Sequence, residues 1–237
     1  MAEQRLSRKN IKEPDQFLTT SVRLLHWIQQ NTRYLLYSSL GLVCIIGISV
    51  GWFTWQKHRE NQARSLFYEA KKLLTTDPNS DKLTNRARAR EYLEELVQNH
   101  NNTSLAASAH WYLGQLAFDA GDYPQALQAY QQAQRKISRS SDSPMFSTVT
   151  LGLGYTQEAS GMYAEAITSF NTVAHASAYW LRSEAYLGLG RCYRALGEGD
   201  KANTLSSRVM SDQHLSELTR QHISEQLASF ELTKPIN

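Results

Sequence analysis

The chain is poor in residues that carry chemistry and in residues that break helices. Of 237 residues only two are cysteine, five proline and twelve glycine. Cys44 and Cys192 cannot make a disulfide framework, nor a four-ligand zinc site without histidine help. The seven histidines are scattered, and none stands at ligand spacing from a cysteine or a carboxylate. So few prolines and glycines leave little room for a disordered linker or a turn-rich all-β fold. No P-loop, nucleophile elbow or HExxH motif occurs, so no enzymatic activity, cofactor or metal is expected. A strong charge of one sign is also missing, the formal net charge being +3. Residues 1–33 hold six Lys or Arg against three Asp or Glu, and the remainder holds nineteen of each. A neutral body without clustered cations is not a nucleic-acid surface.

What the chain does have is one long uncharged run. YLLYSSLGLVCIIGISVGWFTWQ, residues 34–56, is 23 residues without a formal charge. At about 1.5 Å per residue it reaches across a hydrocarbon core of about 30 Å. Ten of its residues are Leu, Ile, Val or Phe, which favour insertion by roughly 3 to 6 kcal/mol together. Tyr34 and Tyr37 at one end, with Trp52 and Trp55 at the other, match aromatic belts at both interfaces. Gly47 and Gly51 form a GxxxG spacing, a helix-pairing signal that many spans carry by chance. The run starts too late for a cleaved signal peptide and lacks a small-x-small cleavage site. Val43 before Cys44 is not the small residue that a lipoprotein site requires. Residues 34–56 are therefore expected to be a retained transmembrane helix in contact with the lipid bilayer.

The six cations of residues 1–33 favour a cytoplasmic tail and a translocated C-terminal domain, although Lys57, Arg59 and Arg64 follow the span closely. Within the tail, Phe17, Leu18, Val22, Leu25 and Ile28 share one side of a helical wheel. Asp15, Thr19, Arg23 and His26 lie opposite, a weak amphipathic helix suited to a membrane surface or a partner.

Residues 57–237 read as helical throughout. Ala63, Leu66, Phe67, Ala70 and Leu73 recur at helical spacing over residues 59–75, and no Gly or Pro separates them from Trp52, which allows one rod with the span. Residues 83–99 repeat the pattern with Ala89, Leu93 and Leu96. Three stretches then align without gaps: HWYLGQLAFDAGDYPQALQAYQQA (110–133), TLGLGYTQEASGMYAEAITSFNTV (150–173) and YLGLGRCYRALGEGDKANTLSSRV (186–209). A Leu-Gly pair recurs, ending at Gly114, Gly154 and Gly190. Seven residues on stand Gly121, Gly161 and Gly197, then Ala126, Ala166 and Ala202, then Tyr130, Phe170 and Ser206.

Each feature has a packing reason. A glycine inside a helix costs about 1 kcal/mol relative to Ala and is tolerated where a neighbour approaches closely. The second glycine suits the left-handed residue that ends a helix. The alanine lets the second helix pack on the first, and the aromatic fills the space between hairpins.

These stretches resemble tetratricopeptide repeats, whose consensus has these residues at these offsets. The resemblance implies an all-α solenoid of helical hairpins. An enlarged loop is expected around Lys136–Pro144, and a cap over residues 213–232 through Leu215, Leu218, Ile223, Leu227 and Phe230. The whole layout further resembles the ancillary subunits of the Sec translocon, whose repeat domain is related to that of a periplasmic cell-division coordinator. That resemblance rests on the short tail, the span, the exit WFTWQKHRENQA and the helical repeats that follow.

The resemblance implies a bacterial inner-membrane protein, with its N-terminus in the cytoplasm and its repeats in the periplasm. It implies a scaffold for protein partners that assists protein export, its partners translocon subunits or exported polypeptides. The alternative is a scaffold for a secretion, pilus or division complex, or a regulatory module for a separate enzyme. In such repeats the first helix of each hairpin lines a groove, which assigns Trp111, Gln115, Phe118, Tyr155, Glu158, Arg191 and Arg194 to binding. Leu151 and Leu187 occupy the positions equivalent to Trp111. The groove would be aromatic at one end and cationic at the other, without the Lys and Asn that clamp a chaperone's carboxylate. Packing of Trp111 and Phe118 against the preceding hairpin is the competing reading.

Other motifs have bland readings. L-G-L-G at 151–154 and 187–190 lacks a preceding strand and a complete G-x-G-x-x-G, so it is repeat packing. Cys192 is expected to be a buried thiol, and His214 and His222 packed or solvated. Arg86, Arg88 and Arg90, followed by Glu91, Glu94 and Glu95, read as an ion-paired helix face. The sequons in Asn101-Asn102-Thr103-Ser104 matter only in a eukaryotic secretory pathway.

Overall fold

A computed structural model of the chain describes residue 23 and residues 26–75, 82–137, 143–176 and 179–232. Of the tail helix proposed after Pro14, only Arg23, His26 and Ile28 among the residues named for it lie within the described residues. Most of the enlarged loop after Lys136 lies outside them, as do the side chains of Ala202 and Phe230.

The described residues are helical and contain no strand. The order is α1 (Thr32–Thr75), α2 (Lys82–Asn99), α3 (Ala106–Asp119), α4 (Tyr123–Lys136), α5 (Pro144–Ala159) and α6 (Tyr163–Ala174). A 3-10 turn (Tyr179–Leu181) leads into α7 (Arg182–Ala195), followed by α8 (Gly199–Ser211) and α9 (Glu217–Leu232). Two compact units divide between His58 and Arg59.

In the first unit, α1 contains a segment long and apolar enough to cross a membrane by length and composition, none of it buried within the chain. Its large apolar side chains, from Leu36 to Trp55, stand exposed. Hydroxyls along it satisfy themselves locally: Ser39 donates to the Leu36 carbonyl, Ser49 to Ile45 and Thr54 to Gly51.

The second unit is a row of helical hairpins. Three of its turns share one construction. The N–H of Gly121 donates to Phe118 O and that of Asp122 to Ala117 O, at 2.9 Å each. Gly161 with Met162 repeats this on Glu158 and Gln157, and Gly197 with Glu198 on Arg194 and Tyr193. Such bonds satisfy the helix's last carbonyls only if the first residue is left-handed. The φ angles are 77°, 74° and 73°, a region that costs a side-chain-bearing residue about 1–2 kcal/mol. Helix starts are equally local. Asp122 accepts from the Gln125 N–H at 3.1 Å with Pro124 in the first turn, and Ser143 caps α5 ahead of Pro144.

The packing is continuous along the row. Residues 59–75 of α1 pair with α2, because Arg59 donates to the carbonyl of Asn99, the last residue of α2, at 2.7 Å. Ala63, Ala70, Ala89, Leu93 and Leu96 are fully buried there, against Ala106, Ala109 and Leu116 of α3. A hairpin thus precedes the three that self-similarity reveals. Between the next hairpins Ala126, Tyr130, Ala133, Val149 and Leu153 form the core, and beyond them Phe170, Val173, Leu189, Leu205 and Val209. The last helix seals the row through Ile223 and Leu227, with Leu215 from the turn before it. Leu218, expected in this cap, is instead 79% exposed; it lies five residues before Ile223, about 140° around the helix from it.

Alternation of helix direction separates two ends. Glycine turns emerge at one end, and the segments after α2, α4, α6 and α8 emerge at the other.

Candidate protein-binding groove

The proposed groove residues lie on three first helices, α3, α5 and α7. What aligns these helices is a pair of aromatic rings held between glycines. Tyr130 on α4 lies against Gly114 of its own hairpin and Gly152 of the next; a Cβ at either would meet the ring at 2.8 Å. Phe170 on α6 lies likewise between Gly154 and Gly188, where a Cβ would come within 2.8 and 2.6 Å. Gly152 and Gly188 are the first glycines of the two L-G-L-G runs, which is why those runs sit in helices. Gly190, Ala126 and Ala166 are buried beside these contacts. Sequence reasoning assigned the close approach to Gly114, Gly154 and Gly190 and missed Gly152 and Gly188. Their recurrence two residues earlier was the available signal.

The structure divides the proposed residues into three sets. Trp111 and Phe118 are half-buried and pack against the core between the second and third hairpins. The Trp111 ring meets Tyr112 edge-on at 4.6 Å, and Phe118 lies 5.7 Å from Tyr123. Each shows part of its surface and anchors its own hairpin with the rest.

Tyr155, Glu158 and Arg191 form one network between α5 and α7. Arg191 is bidentate on Glu158, with Nε 2.6 Å from Oε1 and the second nitrogen 2.8 Å from Oε2. Its guanidinium also stands 5.7 Å from the centre of the Tyr155 ring. The Tyr155 hydroxyl donates to Glu184 at 2.6 Å, and its ring meets Phe170 edge-on at 5.4 Å. Burial, then the Glu184 bond, pushes the Tyr155 hydroxyl above its ordinary range, so it stays a donor. The bonds to Glu158 hold Arg191 firmly protonated. Glu184, 29 residues from Tyr155, carries no sequence signal for this role.

Gln115 and Arg194 form the third set. Both are exposed, and among the described residues no hydrogen bond or ion pair holds either side chain. The cationic end of the proposed groove is therefore Arg194, since Arg191 is already neutralised by Glu158. Leu151 is buried and Leu187 half-buried, both serving the core.

Other candidates resolve into structure. Cys192 is fully buried, and burial followed by the Glu158 carboxylate pushes its thiol up to about 12, so it is no nucleophile. Among the described residues no group of three or more His, Cys, Asp or Glu side chains is placed to hold a metal. Arg86 and Arg90 do not close on the glutamates of their own helix. Arg86 pairs with Asp119 at 2.9 Å and Arg90 with Gln125 at 2.9 Å, tying α2 to the next hairpin. At the far end one guanidinium nitrogen of Arg182 donates to both carboxylate oxygens of Asp212, at 3.0 and 2.9 Å, and another donates to the Ala176 carbonyl. Tyr186 completes that cluster with a bond of 3.1 Å to Asp212.

The chain matches the tetratricopeptide repeat-like domain family over residues 26–230, which takes in the uncharged run as well as the hairpins. No curated protein matches it.

Proposed function

Starting from the fact that the chain belongs to the tetratricopeptide repeat-like domain family, we propose that it is a membrane-anchored scaffold assisting protein export across the bacterial inner membrane. Repeat domains of this kind bind protein partners and are typically non-catalytic. Residues 34–56 are the span, residues 1–33 the cytoplasmic tail and residues 57–237 the periplasmic repeats. The partners are translocon subunits or exported polypeptides. They are held by the row Trp111, Gln115, Phe118, Tyr155, Glu158, Arg191 and Arg194.

One observation supports this reading above the others. Each of three successive hairpins presents an aromatic or cationic side chain, the types that dominate interface hot spots, from its first helix with part of its surface accessible: Trp111 and Phe118, then Tyr155, then Arg191 and Arg194. Within the row the roles differ. Gln115 and Arg194 are free to meet a partner, whereas Glu158 and Glu184 hold Arg191 and Tyr155 in place beforehand. A preorganised row loses less side-chain entropy on binding, which favours affinity.

The test is recovery of the full-length protein from mild-detergent membranes, with identification of what accompanies it. Translocon subunits and envelope chaperones at a fixed ratio support the export reading. A secretion, pilus or division machine at a fixed ratio replaces it with the alternative scaffold.

A further inference from the structure

We infer that the end of the repeat unit carrying Arg59, Arg135 and Lys136 docks on anionic lipid headgroups. The inference rests on reading residues 34–56 as a span. Arg59 follows that run by three residues, about 4.5 Å of helix, so in a bilayer this end of the unit begins at the headgroups.

Four hydrogen bonds gather the rest of the surface onto Arg59. Arg59 donates to Asn99 O at 2.7 Å, and the neighbouring Glu60 accepts from both the backbone N–H and the hydroxyl of Ser104. Those two contacts fix the loop between α2 and α3 beside the start of the unit. Lys136, the last residue of α4, donates to the carbonyl of Asn101 in the same loop at 2.8 Å. The C-terminus of α4 is thereby brought to the same end, with Arg135 beside it.

The charge balance of this face selects the occupant. Among the described residues that these bonds bring together, with Arg135 beside Lys136, three are cations, Arg59, Arg135 and Lys136, and one is a carboxylate, Glu60, which Ser104 already engages. Both α4 cations are exposed, and among the described residues Arg135 makes no hydrogen bond or ion pair. Lys136 spends one of its three donors on Asn101 and keeps two. Lipid phosphates are anionic and multiply accepting, and each nearby cation strengthens such attraction by about fivefold. The opposite, glycine-turn end offers no such excess among the described residues, since Asp119, Asp122, Glu198 and Asp200 lie at its turns against Arg86, Arg194 and Lys201.

The experiment places the full chain in nanodiscs of phosphatidylcholine, alone or mixed with phosphatidylglycerol, and follows amide hydrogen exchange. Retention in the disc is scored on the same samples. Exchange over residues 99–104 and 133–137 is expected to slow several-fold in the anionic discs alone. High salt should erase the difference, and so should Arg135→Glu, which leaves the Lys136–Asn101 bond untouched. Equal exchange in both lipids from a retained chain overturns the inference and leaves the span intact. A chain that is not retained overturns the span, and this inference with it.

Discussion

Arg191 and Glu158 meet side on, through two hydrogen bonds of 2.6 and 2.8 Å between successive hairpins. The most conspicuous cation of the candidate groove is thus a structural clamp. Bidentate geometry and partial burial make the pair stronger than an ordinary surface ion pair, which is worth about 0–1 kcal/mol. Arg191→Glu would set two carboxylates face to face. We expect it to destabilise the chain by about 1–3 kcal/mol. Arg194→Glu, on an exposed and unengaged side chain, should stay within about 0.5 kcal/mol. Urea unfolding of the two variants separates them; equal midpoints would mean that the clamp contributes nothing.

The glycine contacts make a second prediction. Gly188→Ala drives a methyl group to within 2.6 Å of the Phe170 ring, and Gly152→Ala does the same to Tyr130 at 2.8 Å. Each should cost about 1–3 kcal/mol through overpacking. Ala126→Leu and Ala166→Leu, both at fully buried positions, should cost a similar amount. Gly199→Ala, where nothing lies within 4 Å, is the control and should change thermal stability little. Adding Phe170→Leu to Gly188→Ala should recover part of the loss, because the ring is what the methyl meets.

These contacts also show where the sequence was legible. The turn glycines could be read because a left-handed residue has one common solution, and their spacing repeated it three times. The hairpin pattern could be read because buried positions recur with the helical period. Side-chain pairing between hairpins could not. Arg86 had glutamates nearby on its own helix and pairs instead with Asp119, 33 residues away. That choice depends on the angle between hairpins, which no local pattern encodes. The lock of Tyr155 by Glu184 was hidden for the same reason.

Acid should weaken the fold in two windows. Burial, aided by Lys136, lowers His110 from 6.5 to about 4. The unfolded chain therefore takes up a proton before the folded chain does. This stability is complete above pH 6.5 and is lost as the pH falls towards about 4. His110→Gln should flatten the dependence of the unfolding midpoint across that window; an unchanged slope would remove His110 from the account.

Asp212 titrates lower still. Burial alone would raise it, but the His214 N–H, Arg182 and Tyr186 bonds outweigh burial and hold it below 3.8. Its contribution is present above that value and disappears as the pH falls through the depressed one. Arg182→Met strands a buried carboxylate at neutral pH and should cost about 3–5 kcal/mol. Arg182→Met with Asp212→Asn should recover much of this at neutral pH, as read by thermal unfolding.

The central claim is that this row of first helices binds a protein partner at the membrane. The most direct test compares the wild-type chain with a Gln115→Ala/Arg194→Glu variant, both purified full length in mild detergent. The variant alters the two unengaged side chains of the row and should melt with the wild type. The account predicts that a partner retained at a fixed ratio by the wild type falls about tenfold in affinity, the equivalent of about 1.4 kcal/mol. Equal retention by a variant of unchanged stability would contradict it, and would move the binding surface away from the row.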